Sequence, residues 1–350
     1  MTAEWESKQF EDCIEKIVYT TKIQRKDFLD AGTYPIVSQE VAFINGYWDD
    51  ADDVFQVKTP LVVFGDHTKV LKYIDFDFVL GADGVKLLLP KEFLFPKFFY
   101  YQLQLVQLDS LGYARHYKLL KELEIRYPIR EEQQRIVAIL DEAFEAVATA
   151  KANAEKNLQN ARAIFPSHLK SVFSQQSECW FQTTVGDQLT LQRGFDITKN
   201  EQRNGIVPVV SSGGIKSFHD TSMVRAPGVV IGRKGTLGKT YYLDCDYWPH
   251  DTTLWVKDFK GNEPRFVYYL LFGLNVKHLD SGAANPALNR NQVHPLKISW
   301  PPVSQQNQIT LQLDSLAEET RCLEAIYQRK IAALDDLKKS LLHRAFNCSL

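Results

Sequence analysis

A chain of 350 residues with 45% hydrophobic and 24% charged side chains has enough apolar material for two or three packed domains, and its formal net charge is only −2. Its five cysteines (Cys13, Cys179, Cys245, Cys322, Cys348) are scattered and form no C-x-x-C pair, which argues against a zinc site or a disulfide framework. The first residues lack the apolar core of a signal peptide and no stretch approaches a membrane span, so a cytoplasmic protein is expected.

Residues 1–127 read as a first globular module. Short β-type runs at Leu61–Phe64 and Val85–Leu89 are bounded by Gly, Pro and Asp, and Pro96–Val106 has helical character. After Pro128 a glycine-free region runs from about Glu131 to Ser174. Ile136, Leu140, Ala143, Val147, Ala150, Ala154, Asn157, Ala161, Ile164 and His168 recur there at spacings of four and three, which predicts a long helix with a heptad seam. Pro166 lies within this stripe and is expected to kink or end the helix near Phe165.

Residues 180–300 read as a second module, with strands expected at Gly228–Ile231, Lys239–Leu243 and Leu254–Val256 and a helix near Glu263–Phe272. A second long helix is expected from about Ser304 to Phe346. Its stripe holds Ile309, Leu313, Leu316, Thr320, Leu323, Tyr327, Lys330, Leu334, Leu337 and Leu341. The first seam is small, with four alanines, and the second is large, so the two helices are expected to pair. Roughly 44 residues at 1.5 Å each give a strut of about 65 Å. The expected division is 1–127, 128–179, 180–300 and 301–350.

The chain repeats itself. Residues 123–141 (LEIRYPIREEQQRIVAILD) align without a gap on residues 296–314 (LKISWPPVSQQNQITLQLD), an offset of 173. The identical pairs include Pro128/Pro301, Gln133/Gln306, Leu140/Leu313 and Asp141/Asp314. Ser167, Leu169 and Phe173 match Ser340, Leu342 and Phe346 at the same offset. Upstream, Pro60-Leu-Val-Val-Phe-Gly65 matches Pro227-Gly-Val-Val-Ile-Gly232, and Phe98-Phe-Tyr-Tyr101 matches Phe266-Val-Tyr-Tyr269. The period is too long for a solenoid and fits a duplicated unit of one module and one helix.

Motifs within this frame point to a family. The first module carries Tyr34-Pro-Ile-Val-Ser-Gln39, Val63-Phe-Gly-Asp-His-Thr68 and Gly81-Ala-Asp-Gly-Val-Lys86. The second carries Ile231-Gly-Arg-Lys-Gly-Thr-Leu-Gly-Lys239, Trp248-Pro-His-Asp-Thr252 and Ser281-Gly-Ala-Ala-Asn-Pro-Ala-Leu-Asn289. Over essentially its whole length the chain resembles the specificity subunits of type I restriction–modification systems, which have two target recognition domains. The resemblance implies an α+β fold: two similar mixed α/β DNA-recognition modules separated by two long antiparallel coiled-coil helices, with a pseudo-two-fold internal repeat. It further implies that each module reads one half of a split double-stranded DNA target and that the helices set the gap. Two adenine-N6 methyltransferase subunits using S-adenosylmethionine would dock on the chain, and motor-nuclease subunits using ATP and magnesium would join them. No catalytic residue, cofactor or metal would belong to this chain, and no membrane is involved.

Candidate DNA contacts are Ser38, Gln39, His67, Lys69 and Arg115 in the first module, and Ser211, Ser212, Arg233, Lys234, Asn285, Asn289 and Arg290 in the second. Arg233 and Lys234 sit on a glycine-rich turn where Arg can fork onto guanine and Lys can neutralise phosphate. The turn nearly spells a phosphate-binding loop, but Gly232 and Gly238 are six apart and the following residues read as a strand. His67 can serve DNA contact or structure, and one Asp beside one His is a weak metal signal. Asn285 and Asn289 can read adenine edges or cap a helix.

Charge divides the halves. Residues 181–300 hold 14 Lys and Arg against 10 Asp and Glu, a net of +4, while residues 1–127 hold 15 against 20, a net of −5. An acidic DNA reader needs either local positive charge, at Lys69, Lys72, Arg115 and His116, or a grip supplied by its partners. Two other functions compete with this reading: a coiled-coil adaptor that does not touch DNA, and a fused methyltransferase or nuclease. The Asn-Pro-Pro-aromatic motif of adenine methyltransferases is missing, the nearest match being Asn285-Pro-Ala-Leu288.

Overall fold

The computed structural model describes residues 5–82, 84–109, 114–174, 179–274, 276–279 and 287–347. It resolves into two units, one built from residues 1–154 with 330–350 and the other from residues 155–329.

In the first unit, strand Leu61–Gly65 is buried along its whole length. Successive side chains of a strand point to opposite faces, and both faces are covered here. Val62 and Phe64 enter one core with Phe98, Phe99 and Leu140, while Leu61 and Val63 enter another with Phe78, Leu80 and Val85. A strand buried on both sides reads as a continuous apolar run, which is why it is visible in the sequence. It is the middle of a three-stranded antiparallel sheet, between Leu71–Ile74 and Val85–Leu88. A second sheet pairs Phe78–Gly81 with Lys22–Ile23, Tyr34–Val37 and Val54–Phe55, and Gly46–Trp48 with Tyr34–Val37. Glu6–Gln9 and Glu124–Tyr127 close a two-stranded ribbon just before the first long helix, Arg130–Ser174.

The second unit repeats these parts. Strand Gly228–Gly232 is wholly buried, with Val229 and Ile231 in one core and Val230 in another. It lies between Thr240–Leu243 and Thr253–Asp258, with Thr190–Arg193 beyond. A ribbon of Phe181–Thr184 with Lys297–Trp300 precedes the second long helix, Val303–Phe346. The helices expected near Pro96 and Glu263 are Pro96–Leu105 and Pro264–Gly273.

The duplicated residues build a duplicated joint. In the first unit Gln133 is fully buried; its Oε1 accepts from Phe95 N–H at 2.7 Å, and its Nε2 donates to Phe93 O at 3.0 Å and Pro128 O at 2.9 Å. Two turns later Asp141 takes Lys97 at 2.7 Å and the Tyr101 hydroxyl. In the second unit Gln306, also fully buried, accepts from Glu263 N–H at 3.0 Å and donates to Asn262 Oδ1 at 2.8 Å and Pro301 O at 3.1 Å. Asp314 takes Arg265 at 2.7 Å and the Tyr269 hydroxyl. Burial and the adjacent aspartate push both tyrosine hydroxyls well above their ordinary pKa.

Each unit also holds a stretch of both long helices, running antiparallel. In the first, Lys151 pairs with Asp335 at 2.6 Å, and Phe346 packs 4.9 Å from Phe98. In the second, Arg162 pairs with Glu324 at 3.3 Å, and Phe173 packs 5.6 Å from Phe266. Eleven residues forward on the first helix, from 151 to 162, match eleven back on the second, from 335 to 324.

Two seam expectations need correction. Of the two outcomes expected at Pro166, an end is excluded, since the first helix continues to Ser174 as its expected bounds had it. An interior proline costs about 3 kcal/mol, and burial of Leu169 with Phe165, Val172 and Phe173 around it offsets that cost. The seam near Pro166 uses Phe165 and Leu169, not Ile164 and His168, which are exposed; an unpartnered buried His would be penalised where Leu is not. On the second helix Lys330 is exposed, as are Leu323 and Leu337, at 37% and 46%, while the neighbouring Glu324 and Ile331 are half-buried. Spacings of four-then-three and three-then-four share every seventh residue, so Leu313, Thr320, Tyr327, Leu334 and Leu341 fit either phase and the sequence leaves the choice open.

Candidate nucleic-acid interface

In each module three loops converge beside the buried central strand. In the first, strand Leu61–Gly65 turns back at Asp66–Lys69 into strand Leu71–Ile74. The turn is tight: a Cβ on Gly65 would lie 2.2 Å from Thr68 Oγ1. Lys69 adopts the left-handed conformation at φ 60, donates its N–H to Gly65 O, and sends Nζ to Leu108 O at 3.3 Å. Gln39, just past strand Tyr34–Val37, accepts at Oε1 from His67 N–H (3.2 Å) and at its carbonyl from the Thr68 hydroxyl (2.6 Å). The third segment arrives through His116, whose N–H donates to Asp66 O at 2.8 Å, and this brings exposed Arg115 to the same place. Gln39, His67, Lys69 and Arg115 are thus gathered.

Not every candidate faces outward. Ser38 is buried; its N–H donates to Asn45 Oδ1 at 2.8 Å and its hydroxyl accepts from Glu40 N–H. Two residues considered as local positive charge, Lys72 and His116, are 3% and 1% exposed. Lys72 Nζ donates to Ala42 O at 2.5 Å, Phe43 O at 3.2 Å and Asn45 Oδ1 at 2.9 Å, tying down the loop that begins at Ser38. Burial lowers its pKa to about 8 against the opposing pull of Glu40. Positive charge at this surface therefore falls to residues such as Lys69 and Arg115.

The second module is built the same way around Thr252. Its carbonyl accepts from Arg233 N–H at 2.8 Å and Lys234 N–H at 3.1 Å, and its hydroxyl accepts from Ser212 N–H at 3.3 Å. The Arg233 carbonyl accepts from Leu288 N–H, which draws in Asn289 and Arg290. Ser211, Ser212, Arg233, Lys234, Asn289 and Arg290 are therefore neighbours. A Cβ on Gly232 would lie 2.0 Å from Thr236 O, so this strand too must end in glycine where the chain folds back. A strand, Thr240–Leu243, follows the turn, which removes the phosphate-loop reading. Lys234 and Arg290 are exposed, and Arg233 is half-buried with Nη1 on Asp251 O at 3.3 Å. Asn289 caps helix Arg290–Val293 in a full capping box. Ser211 donates its hydroxyl to Gly214 O, and Ser212 is buried. Asn285 lies outside the described residues.

The sequence reading did not assign Thr252, although it sits in the singled-out run Trp248–Thr252. Beside it, Asp196, His250 and Asp251 each offer a possible metal ligand within 4.8 Å of the others. Asp251 already takes Arg193 at 2.8 Å, and His250 Nδ1 accepts from Thr252 N–H at 3.3 Å. Among the described residues no helix is long and apolar enough to cross a membrane.

The type I restriction modification DNA specificity domain matches twice, over residues 2–159 and 178–330. The chain belongs to this specificity family. Each match spans one module and the first part of the long helix that follows it. It is similar to the type I restriction enzyme EcoR124I/EcoR124II specificity subunit of Escherichia coli, 27% identical over 208 residues. That match covers 54% of this chain and 50% of the other, so it spans about half the length of the curated relative. The specificity-family fold is also that of a chain from a study of complex assembly and conformational transition of the type I R-M system, with a TM-score of 0.78, 16% identity, and 99% and 98% of the two chains covered. The HsdS subunit from Thermoanaerobacter tengcongensis gives 0.61 at 15% identity, with 99% and 97% covered.

Proposed function

We propose that this chain is the DNA-reading subunit of a type I restriction–modification complex, in which each module reads one half of a split target and the paired helices set the gap. The observation that carries this reading is the duplicated three-loop cluster. One scaffold presents Gln39, His67, Lys69 and Arg115 in the first copy and Arg233, Lys234, Asn289 and Arg290 in the second. Side chains of this type can hydrogen-bond base edges and phosphates, and different side chains on one scaffold suit two different half-sites. The buried serines act through the loop geometry they fix.

The chain acts by binding and positioning. Two adenine-N6 methyltransferase subunits would take their place from it, with S-adenosylmethionine on those subunits, and motor-nuclease subunits would bring ATP and magnesium. The acidic first module, net −5 over residues 1–127, gives little general attraction to DNA, so most of the backbone grip falls to the methyltransferase subunits. The test is to express the chain with its methyltransferase partner and map N6-methyladenine across the host genome. A motif of two short half-sites separated by a fixed gap is expected. Methylation in a continuous motif, or none, would overturn the reading.

A further inference from the structure

We infer that Gln133 with Asp141, and Gln306 with Asp314, are positioning residues that hold each module at a fixed angle on its own long helix and so set how strictly the gap between half-sites is kept. The inference rests on the reading of the helices as the spacer.

Both glutamines are fully buried, and each amide makes three hydrogen bonds to loop and ribbon-end atoms of its module. An amide is not the cheapest side chain to bury, since it must leave water, and an apolar residue of similar volume stabilises as well or better. What a satisfied amide adds is geometry, because only one placement of the helix serves all three bonds. Asp141 and Asp314 each lie eight residues further on, about 12 Å along the same helix face. There each takes a cation and a tyrosine hydroxyl from one module helix, Lys97 with Tyr101 and Arg265 with Tyr269.

Two fixed points on one face define a direction. A strut is only as exact as its end joint: a tilt of about 10° at the end of a lever of about 30 Å moves the tip by about 5 Å, more than one base-pair step of about 3.4 Å. The same glutamine-to-aspartate spacing and the same cation-plus-tyrosine pair recur in both units, although the acceptors around the glutamines differ, Phe93 O in one and Asn262 Oδ1 in the other.

The test uses the full chain co-expressed with its methyltransferase partner, with N6-methyladenine mapped and the gap of every methylated site tabulated. Wild type should methylate at one gap length. Gln133→Met combined with Asp141→Asn should leave both half-sites unchanged and raise methylation at gaps one base pair shorter or longer by about tenfold, the ratio commanded by roughly one lost buried hydrogen bond. Leu61→Ala, a truncation in the module's other buried core, which holds none of the joint residues, controls for lost stability and should keep a single gap. If the double variant does not fold, Tyr101→Phe, which removes only one hydroxyl, should show a smaller broadening. A gap as sharp as wild type in the folded joint variant, or equal broadening in Leu61→Ala, overturns the inference while leaving the functional reading standing. No split motif from wild type brings both down.

Discussion

The Arg233 N–H donates to the Thr252 carbonyl at 2.8 Å, and Lys234 shares the same oxygen at 3.1 Å. One carbonyl thus pins the tip of the basic turn, and the two side chains differ: Arg233 reaches Asp251 O, whereas Lys234 is exposed. Arg233→Ala should cost about 1–3 kcal/mol of discrimination at one half-site. Lys234→Ala should weaken binding about equally across sequences and reduce the salt slope by about one. Binding of the assembled methyltransferase complex to variant half-sites over a salt series measures both. Loss of discrimination at the other half-site would contradict the division of labour.

Lengthening the helices should widen the gap, provided both are lengthened together. Lys151 faces Asp335 and Arg162 faces Glu324, so a segment added to one helix alone puts every pair on one side out of register. Seven residues, two turns, inserted after Ala150 and again after Asp335 keep the seam in phase and add about 10 Å. The methylated motif should then keep both half-sites and gain about three base pairs of gap. An active double insertion with an unchanged gap would show that the docked subunits set the spacing.

Lys72→Met should loosen the loop that begins at Ser38. The variant leaves Ala42 O, Phe43 O and Asn45 Oδ1 without the shared donor, a loss of about 1–3 kcal/mol. Chemical denaturation measures the stability, and the methylated motif should show relaxed preference in the first module's half-site only. An unchanged motif from the destabilised variant would confine Lys72 to a structural role.

Acid should weaken the second module through His294. Its Nε2 accepts from Leu191 N–H at 3.0 Å, and burial, with Arg290 and Lys260 nearby, holds its pKa below the ordinary histidine value. The folded state then binds fewer protons than the unfolded chain near pH 6.5, so this contribution is present above about pH 6.5 and lost as pH falls through the lower folded value. Thermal unfolding followed from about pH 8 to about pH 5 should show the midpoint falling, with a shallower fall in His294→Gln. Identical slopes would rule the residue out.

The elements were legible where one face or both faces are apolar. Leu61–Gly65 and Gly228–Gly232 announce themselves as unbroken apolar runs ending in glycine, and the identities at Gln133/Gln306 and Asp141/Asp314 marked the repeat. The work those residues do was not legible, because their partners include main-chain carbonyls such as Pro128 O, which no alignment displays. Lys72 and His116 misled for the opposite reason: a charged residue type suggests the surface, yet both spend their polar atoms inside. Seam phase was ambiguous because two spacings share every seventh position, and whether the helix would end at Pro166 was not legible because packing on Leu169 and Phe173 decides it. The pinned turn at Thr252 depends on backbone atoms brought together from separate strands.

The chain is interleaved: residues 330–350 belong with residues 1–154, while residues 155–329 are continuous. During synthesis the first unit therefore waits for residues made after the whole of the second unit. Until Leu342 and Phe346 arrive, the apolar surface around Trp5 and Phe98 stays partly uncovered, whereas the second unit has all its residues earlier. Domains usually close in the order they leave the ribosome, but here the leading unit has its full set of residues only after the second. A nascent chain stopped just before Lys330 would have all of its second unit and an exposed first, so termination there yields a species prone to aggregation rather than a half-active reader.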